Sequence, residues 1–124
     1  MFKILFLILT TLLSCSKREN IKPSEVRVEV LNATGEMHLA RVISMELRRR
    51  GFDVIRFDNA SDTLSKTVII ERVSPDKRYA KVLAKFTGIK RLDFDPDPQK
   101  LTDVSLVIGK DYKKIFKDLL LIWK

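Results

Sequence analysis

Cysteine, histidine and tryptophan each occur once in the 124-residue chain. A lone cysteine permits no internal disulfide, and one histidine beside it cannot complete a zinc set of the usual kind. Glycine and proline number four each, too few for a collagenous or low-complexity chain. Long apolar runs are equally scarce. The only one, Ile4–Leu13 (ILFLILTTLL), is half the roughly 20 residues that a membrane-spanning helix needs. Acidic residues are in the minority, 16 against 24 Lys and Arg, for a formal charge of +8. Such an excess describes partners and solubility rather than fold. It suits nucleic acid, anionic lipid or an anionic cell-wall polymer.

What is present begins at the N-terminus. Lys3 supplies a basic start, Ile4–Leu13 a short apolar middle, and Ser14 a small residue before a cut. That pattern reads as a secretory signal. Leu12-Leu13-Ser14-Cys15 resembles the bacterial lipobox, which implies that Cys15 becomes the new N-terminus and carries a diacylglyceryl group on its sulfur. Two acyl chains give stable anchoring where one gives only marginal binding. The expected organisation is a lipoprotein signal peptide at 1–14, a lipidated tether at 15–24, a folded domain at 25–112 and a C-terminal amphipathic helix at 113–124. Lipidation would use up the only thiol, leaving no sulfur nucleophile. Export would place the protein in the cell envelope, on the non-cytoplasmic side of a bacterial membrane, and would remove nucleic acid from its partners. Ser16 after the lipidated residue resembles an outer-membrane sorting signal, should the cell be Gram-negative.

The rest alternates strand and helix patterns. Val26, Val28 and Val30 alternate with Arg27 and Glu29, a period-two strand. Asn32-Ala33-Thr34-Gly35 reads as a turn. Met37–Arg50 fits a helix with an apolar stripe of Leu39, Ala40, Ile43 and Leu47, with Arg41, Ser44 and Arg48 on the other side. Gly51 stops it, and Arg48–Arg50 complement the helix dipole. Phe52–Phe57 and Thr67–Val73 are strands separated by a polar loop at 59–65. Ser74-Pro75 suggests an N-cap and first turn for a second helix running to Thr87, its buried face formed by Tyr79, Leu83 and Phe86 and its stop by Gly88. Leu92 and Phe94 belong to a short edge strand ending at Pro96, Val104–Ile108 (VSLVI) is an apolar final strand, and Ile115, Phe116, Leu119, Leu120 and Trp123 have helical spacing. The expected fold is α/β: a two-layer sandwich with a four- to five-stranded mixed sheet, two helices on one face and a C-terminal helix.

In this order the segment VRVEVLNATGEMHLARVISMELRRRGFDV resembles the start of the LytR C-terminal domain, the module behind the catalytic domain of LytR/CpsA/Psr cell-wall proteins. The matching positions are Val28, Val30, Asn32, Thr34, Gly35, Leu39, Ala40, Leu47, Gly51, Phe52 and Val54, then Val107-Ile108-Gly109-Lys110-Asp111-Tyr112 near the end. The resemblance spans about residues 25–112. Ala33 and His38 stand where the family often has glycine. The phosphotransferase domain of those enzymes is far larger than this chain could hold, so the resemblance implies an accessory envelope module rather than glycopolymer ligation.

Candidate ligand-binding residues are Asn32, Thr34, Gly35, His38 and Asp111. A loop between a strand end and a helix start can bind anions through free amide N–H groups and the helix dipole; Asn, Thr and Gly at such a place also serve plain turn and capping chemistry. His38 would need partners to act as a base or metal ligand, and Glu36 beside it does not make a site alone. Asp93, Asp95 and Asp97 have the spacing of a half calcium loop, but Pro98 and Val104 replace its glycine and terminal acid. Arg48, Arg49, Arg50, Lys77, Arg78, Lys81 and Lys85 could form a basic surface or simply a solvated face. No cofactor or metal is expected, and no catalytic residue is assigned. The expected role is a non-catalytic, lipid-anchored envelope protein that binds an anionic cell-wall polymer or scaffolds envelope proteins. The alternatives are a wall-directed enzyme using Asp111, Glu36 and His38, and a pure protein–protein adaptor.

Overall fold

Five strands form one mixed sheet in the order β2-β1-β5-β3-β4. The computed structural model describes residues 20–117. The strands are β1 (Arg27–Asn32), β2 (Asp53–Asn59), β3 (Val68–Glu71), β4 (Leu92–Phe94) and β5 (Val104–Ile108). The helices are α1 (Leu39–Arg49), α2 (Arg78–Thr87) and the short α3 (Tyr112–Ile115). β1 pairs in parallel with β2 and with β5, β5 pairs antiparallel with β3, and β3 pairs in parallel with β4. The signal segment, Cys15 and the rest of the tether up to residue 19 lie outside the described residues, as does the C-terminal helix beyond Lys117.

The period-two pattern of β1 has a direct outcome. Val28 and Val30 are fully buried, and with Val104, Leu106, Ile108 and Ile69 they meet Leu39, Ala40, Ile43 and Leu47 of α1 and Ala80 and Leu83 of α2 in one core. Both helices therefore cover the same face. β5, flanked by β1 and β3, is buried at all five positions; four are apolar, and the buried Ser105 donates its hydroxyl to Glu29 Oε1 at 2.8 Å. On the opposite face Ala33, Val68 and Val107 form a smaller cluster with Leu31, Ala60 and Ile70.

Ser44 departs from expectation: it is fully buried, not outward. It stands four residues from Ala40 and three from Leu47, which puts it on the core stripe of the helix. Helix α2 also begins later than Ser74-Pro75 suggests. Lys77 adopts a left-handed conformation (φ 59°) and its N–H donates to the Ser74 carbonyl at 3.0 Å, closing a turn before the helix starts at Arg78. The first helical amides are met instead by a carboxylate from the preceding strand: Glu71 Oε1 accepts from the N–H groups of Tyr79 and Ala80, both at 2.9 Å. The face that α2 buries is Ala80 and Leu83. Phe86 stays 42% exposed, with its ring edge-to-face on Phe52 at 5.1 Å.

A bulge interrupts β2 and redirects its second half. Val28 pairs with Val54 but Glu29 pairs with Arg56, so Ile55 is the extra residue. In an unbroken strand residues 54 and 57 would face opposite ways. The bulge puts Phe57 opposite Val30, on the helix side of the sheet.

Candidate functional site

The parallel pairing of β1 and β2 ends with Asn32 opposite Asn59. Beyond these two residues, at the carboxyl ends of the strands, the loops β1–α1 and β2–β3 enclose an open cleft of about 390 Å³. Asn32, Gly35, Glu36 and His38 line it from one side, and Asn59, Ser61, Asp62 and Thr63 from the other. This is where parallel α/β sheets usually place ligands. A second cleft of about 220 Å³, lined by His38, Arg41, Phe57, Asp58 and Asn59, adjoins it.

The loop's own hydrogen bonds define what remains free for a ligand. Asn32 is buried, and its carbonyl oxygen accepts from the Thr34 N–H at 3.1 Å and the Thr34 hydroxyl at 2.5 Å. Its amide donates to the Glu36 carbonyl at 2.6 Å and reaches Asn59 Oδ1 at 3.5 Å. Thr34 in turn accepts from the Glu36 N–H at 3.0 Å. Asn32 and Thr34 thus shape the loop with the groups that would otherwise read a ligand. His38, exposed at the rim, keeps its imidazole available.

His38 has φ 66° and ψ 3°, in the left-handed region. That conformation explains why glycine is common at this position in the similar family: a side chain there is strained, by about 1 kcal/mol. Ala33, the other departure, has no positive φ. It is buried, with its N–H donating to the Ile108 carbonyl and its own carbonyl accepting from Leu64, both at 2.9 Å. His38→Gly is therefore expected to raise stability by up to about 0.5 kcal/mol, the relief of strain being largely offset by greater freedom of the unfolded chain. Urea unfolding measures this; a loss of stability on His38→Gly would refute the strain.

Asp111 does not join the cleft. Its Oδ1 accepts from the Thr67 N–H at 2.9 Å and from the Thr67 hydroxyl at 2.7 Å. The Thr67 hydroxyl also accepts from the Gly109 N–H at 2.9 Å. Asp111 therefore clasps the end of β5 to the start of β3. The acids of the β4–β5 region likewise have protein partners. Asp95 pairs with Arg72 at 3.0 Å, and Asp93 lies 4.0 Å from Arg91. Asp97 accepts from the N–H groups of Gln99, Leu101 and Thr102, with the Gln99 bond the foremost cause of a carboxyl held below its ordinary range. Among the described residues no group of three His, Cys, Asp or Glu side chains converges as a metal site would require.

The basic residues are partly engaged too. Arg49 and Arg50 both bind Glu46, at 2.5 and 3.0 Å. The hydrogen bond from Arg49 is the main reason the Glu46 carboxyl is held below its ordinary range. Arg48 donates to the Val54 carbonyl at 2.8 Å and places its guanidinium 5.8 Å from the centre of the Phe57 ring. Sequence reasoning missed Asn59, Ser61, Asp62, Thr63, Arg41 and Phe57. The β1-α1-β2 pattern carried a usable signal for Asn59: two parallel strands that both end in asparagine set those asparagines side by side.

A family model described as LytR cell envelope-related transcriptional attenuator matches residues 25–112. A solved structure, the solution structure of the C-terminal domain of RV0431, is similar with a TM-score of 0.46 and 21% identity, covering 73% of this chain and 78% of that one. No curated protein matches.

Proposed function

The chain belongs to the LytR C-terminal domain family, a cell-envelope-associated accessory domain, and from that membership we propose that it is a non-catalytic, lipid-anchored protein that binds a cell-wall polymer. The observation that carries the reading is the open cleft at the carboxyl ends of β1 and β2, which two loops line with amide, hydroxyl and imidazole groups. A binding module needs such a surface and no more. An enzymatic role for Asp111, Glu36 and His38 finds less support, because Asp111 is committed to Thr67 while the other two line the cleft. Anchoring through a diacylglyceryl group on Cys15, behind the Leu12-Leu13-Ser14-Cys15 pattern, would hold the domain on the non-cytoplasmic side of a bacterial membrane.

The test is co-sedimentation of the detergent-solubilised full chain with purified wall sacculi. Retention is expected to persist in about 1 M salt, where charge attraction is screened beyond roughly 3 Å. Release at that salt concentration would reduce the interaction to nonspecific attraction by the basic surface and overturn the reading.

A further inference from the structure

We propose that the groove at the carboxyl ends of β1 and β2 takes an uncharged, hydroxyl-rich glycan strand, with Phe57 as its stacking platform, and excludes anionic polymers. This rests on the wall-polymer reading and narrows it to one class of polymer.

The two adjoining clefts share His38 and Asn59. With those two side chains common to both, the pair would form one track for an extended chain laid across it. Carboxylates outnumber guanidiniums along that track: Glu36 and Asp62 line one half and Asp58 the other, against Arg41 in the lining and Arg48, whose guanidinium lies 5.8 Å from the centre of the Phe57 ring. Phosphate or carboxylate groups laid along it would meet like charge, and such juxtaposition disfavours a partner strongly. The chain's overall positive charge does not alter this, since Arg49 and Arg50 are bound to Glu46 and Lys77, Lys81 and Lys85 lie on or beside α2.

The uncharged groups fit a sugar. Asn59, Ser61 and Thr63 can each both donate to and accept from hydroxyls, and His38 offers a donor and an acceptor in its neutral form. Phe57 supplies the apolar component. Its side chain is 40% exposed on an edge strand, and the bulge at Ile55 is what turns it toward this groove. An aromatic face beside paired polar groups matches a pyranose, which presents C–H groups on its flat side and hydroxyls at its rim.

The experiment follows backbone amide resonances of the full chain in detergent micelles while tetra-N-acetylchitotetraose, or separately polyphosphate, is added. The neutral tetrasaccharide is expected to shift the amides of His38, Phe57, Asn59 and Ser61 saturably, and polyphosphate to leave them unmoved. Phe57→Ala is expected to weaken tetrasaccharide binding about tenfold, and Phe57→Tyr, which keeps the ring, to retain it. The Tyr variant separates the platform from any loss of folding. Polyphosphate shifting these amides while the tetrasaccharide does not would overturn the ligand class and leave wall binding standing. Neither probe moving them, with sacculi still retaining the protein, would overturn the site alone. Loss of sacculus retention in high salt is the separate failure of the broader reading.

Discussion

Glu71→Ala is expected to remove about 4 kcal/mol of stability, a large share of the roughly 5 to 15 kcal/mol that holds a domain folded. Glu71 is fully buried at the end of β3. Besides the Tyr79 and Ala80 N–H groups on Oε1, its Oε2 accepts from the N–H groups of Val73 and Ser74 at 3.1 and 3.2 Å. One carboxylate thus satisfies four backbone donors and places negative charge at the start of α2, where the helix dipole favours it. Alanine would leave those donors without partners, each loss costing about 1 to 3 kcal/mol before relaxation. Glu71→Gln keeps the shape but turns an NH₂ toward one pair of N–H groups, and about 2 to 3 kcal/mol should be lost. Urea unfolding gives the magnitude, and amide exchange gives the place: Tyr79 and Ala80 should lose protection first. A change within about 0.5 kcal/mol of the parent would show that this carboxylate does not hold the helix start.

Gly109→Ala is the other substitution with a large expected effect, and the reason is space rather than conformational freedom. A Cβ at Gly109 would come within 2.4 Å of the Lys66 carbonyl carbon, 2.7 Å of the Thr67 nitrogen and 2.8 Å of the Lys66 oxygen. All three are backbone atoms, which cannot rotate aside as a flexible side chain does. The chain would have to part β5 from the start of β3, where the Asp111–Thr67 clasp and the bond from the Lys110 N–H to the Leu64 carbonyl, at 2.9 Å, hold the two together. About 3 kcal/mol should be lost, at the upper end for overpacking. Thermal unfolding of Gly109→Ala beside Asp111→Asn would test both halves of this junction. A Gly109→Ala protein that melts with the parent would show that the contact is looser than the structure has it.

The fold is legible in the sequence where one face of an element alone decides burial. β1 and the stripe of α1 follow from their spacing, and Val104–Ile108 reads as a buried strand because four of its five positions, spread over both faces, are apolar. Spacing cannot reveal that β5 lies between β1 and β3, since order within a sheet depends on pairing across the chain. The start of α2 is hidden for the same reason. Ser74-Pro75 carries a local capping signal, but the acceptor in use is Glu71, which reaches the helix from the neighbouring strand. The candidate site divides along this line. Asn32, Thr34, Gly35 and His38 are close in sequence and gather at one loop, whereas Asp111 stands apart from them because its partner is Thr67, 44 residues away. The polar loop after β2 joins the cleft only through the parallel register that aligns Asn59 with Asn32. Phe57 depends on a bulge, which no alternation of residue types announces.

The direction of β1 has a consequence for an anchored protein. Ile21, at the entry to the domain, packs against the core, and the chain passes through the short 3-10 turn Pro23–Glu25 into the strand. Six residues later, roughly 20 Å along a strand, β1 delivers Asn32 to the groove. The entry to the domain and the groove thus occupy opposite poles. A lipid at Cys15 would tie down the near pole and leave the far one unobstructed, turned outward toward whatever lies above the bilayer.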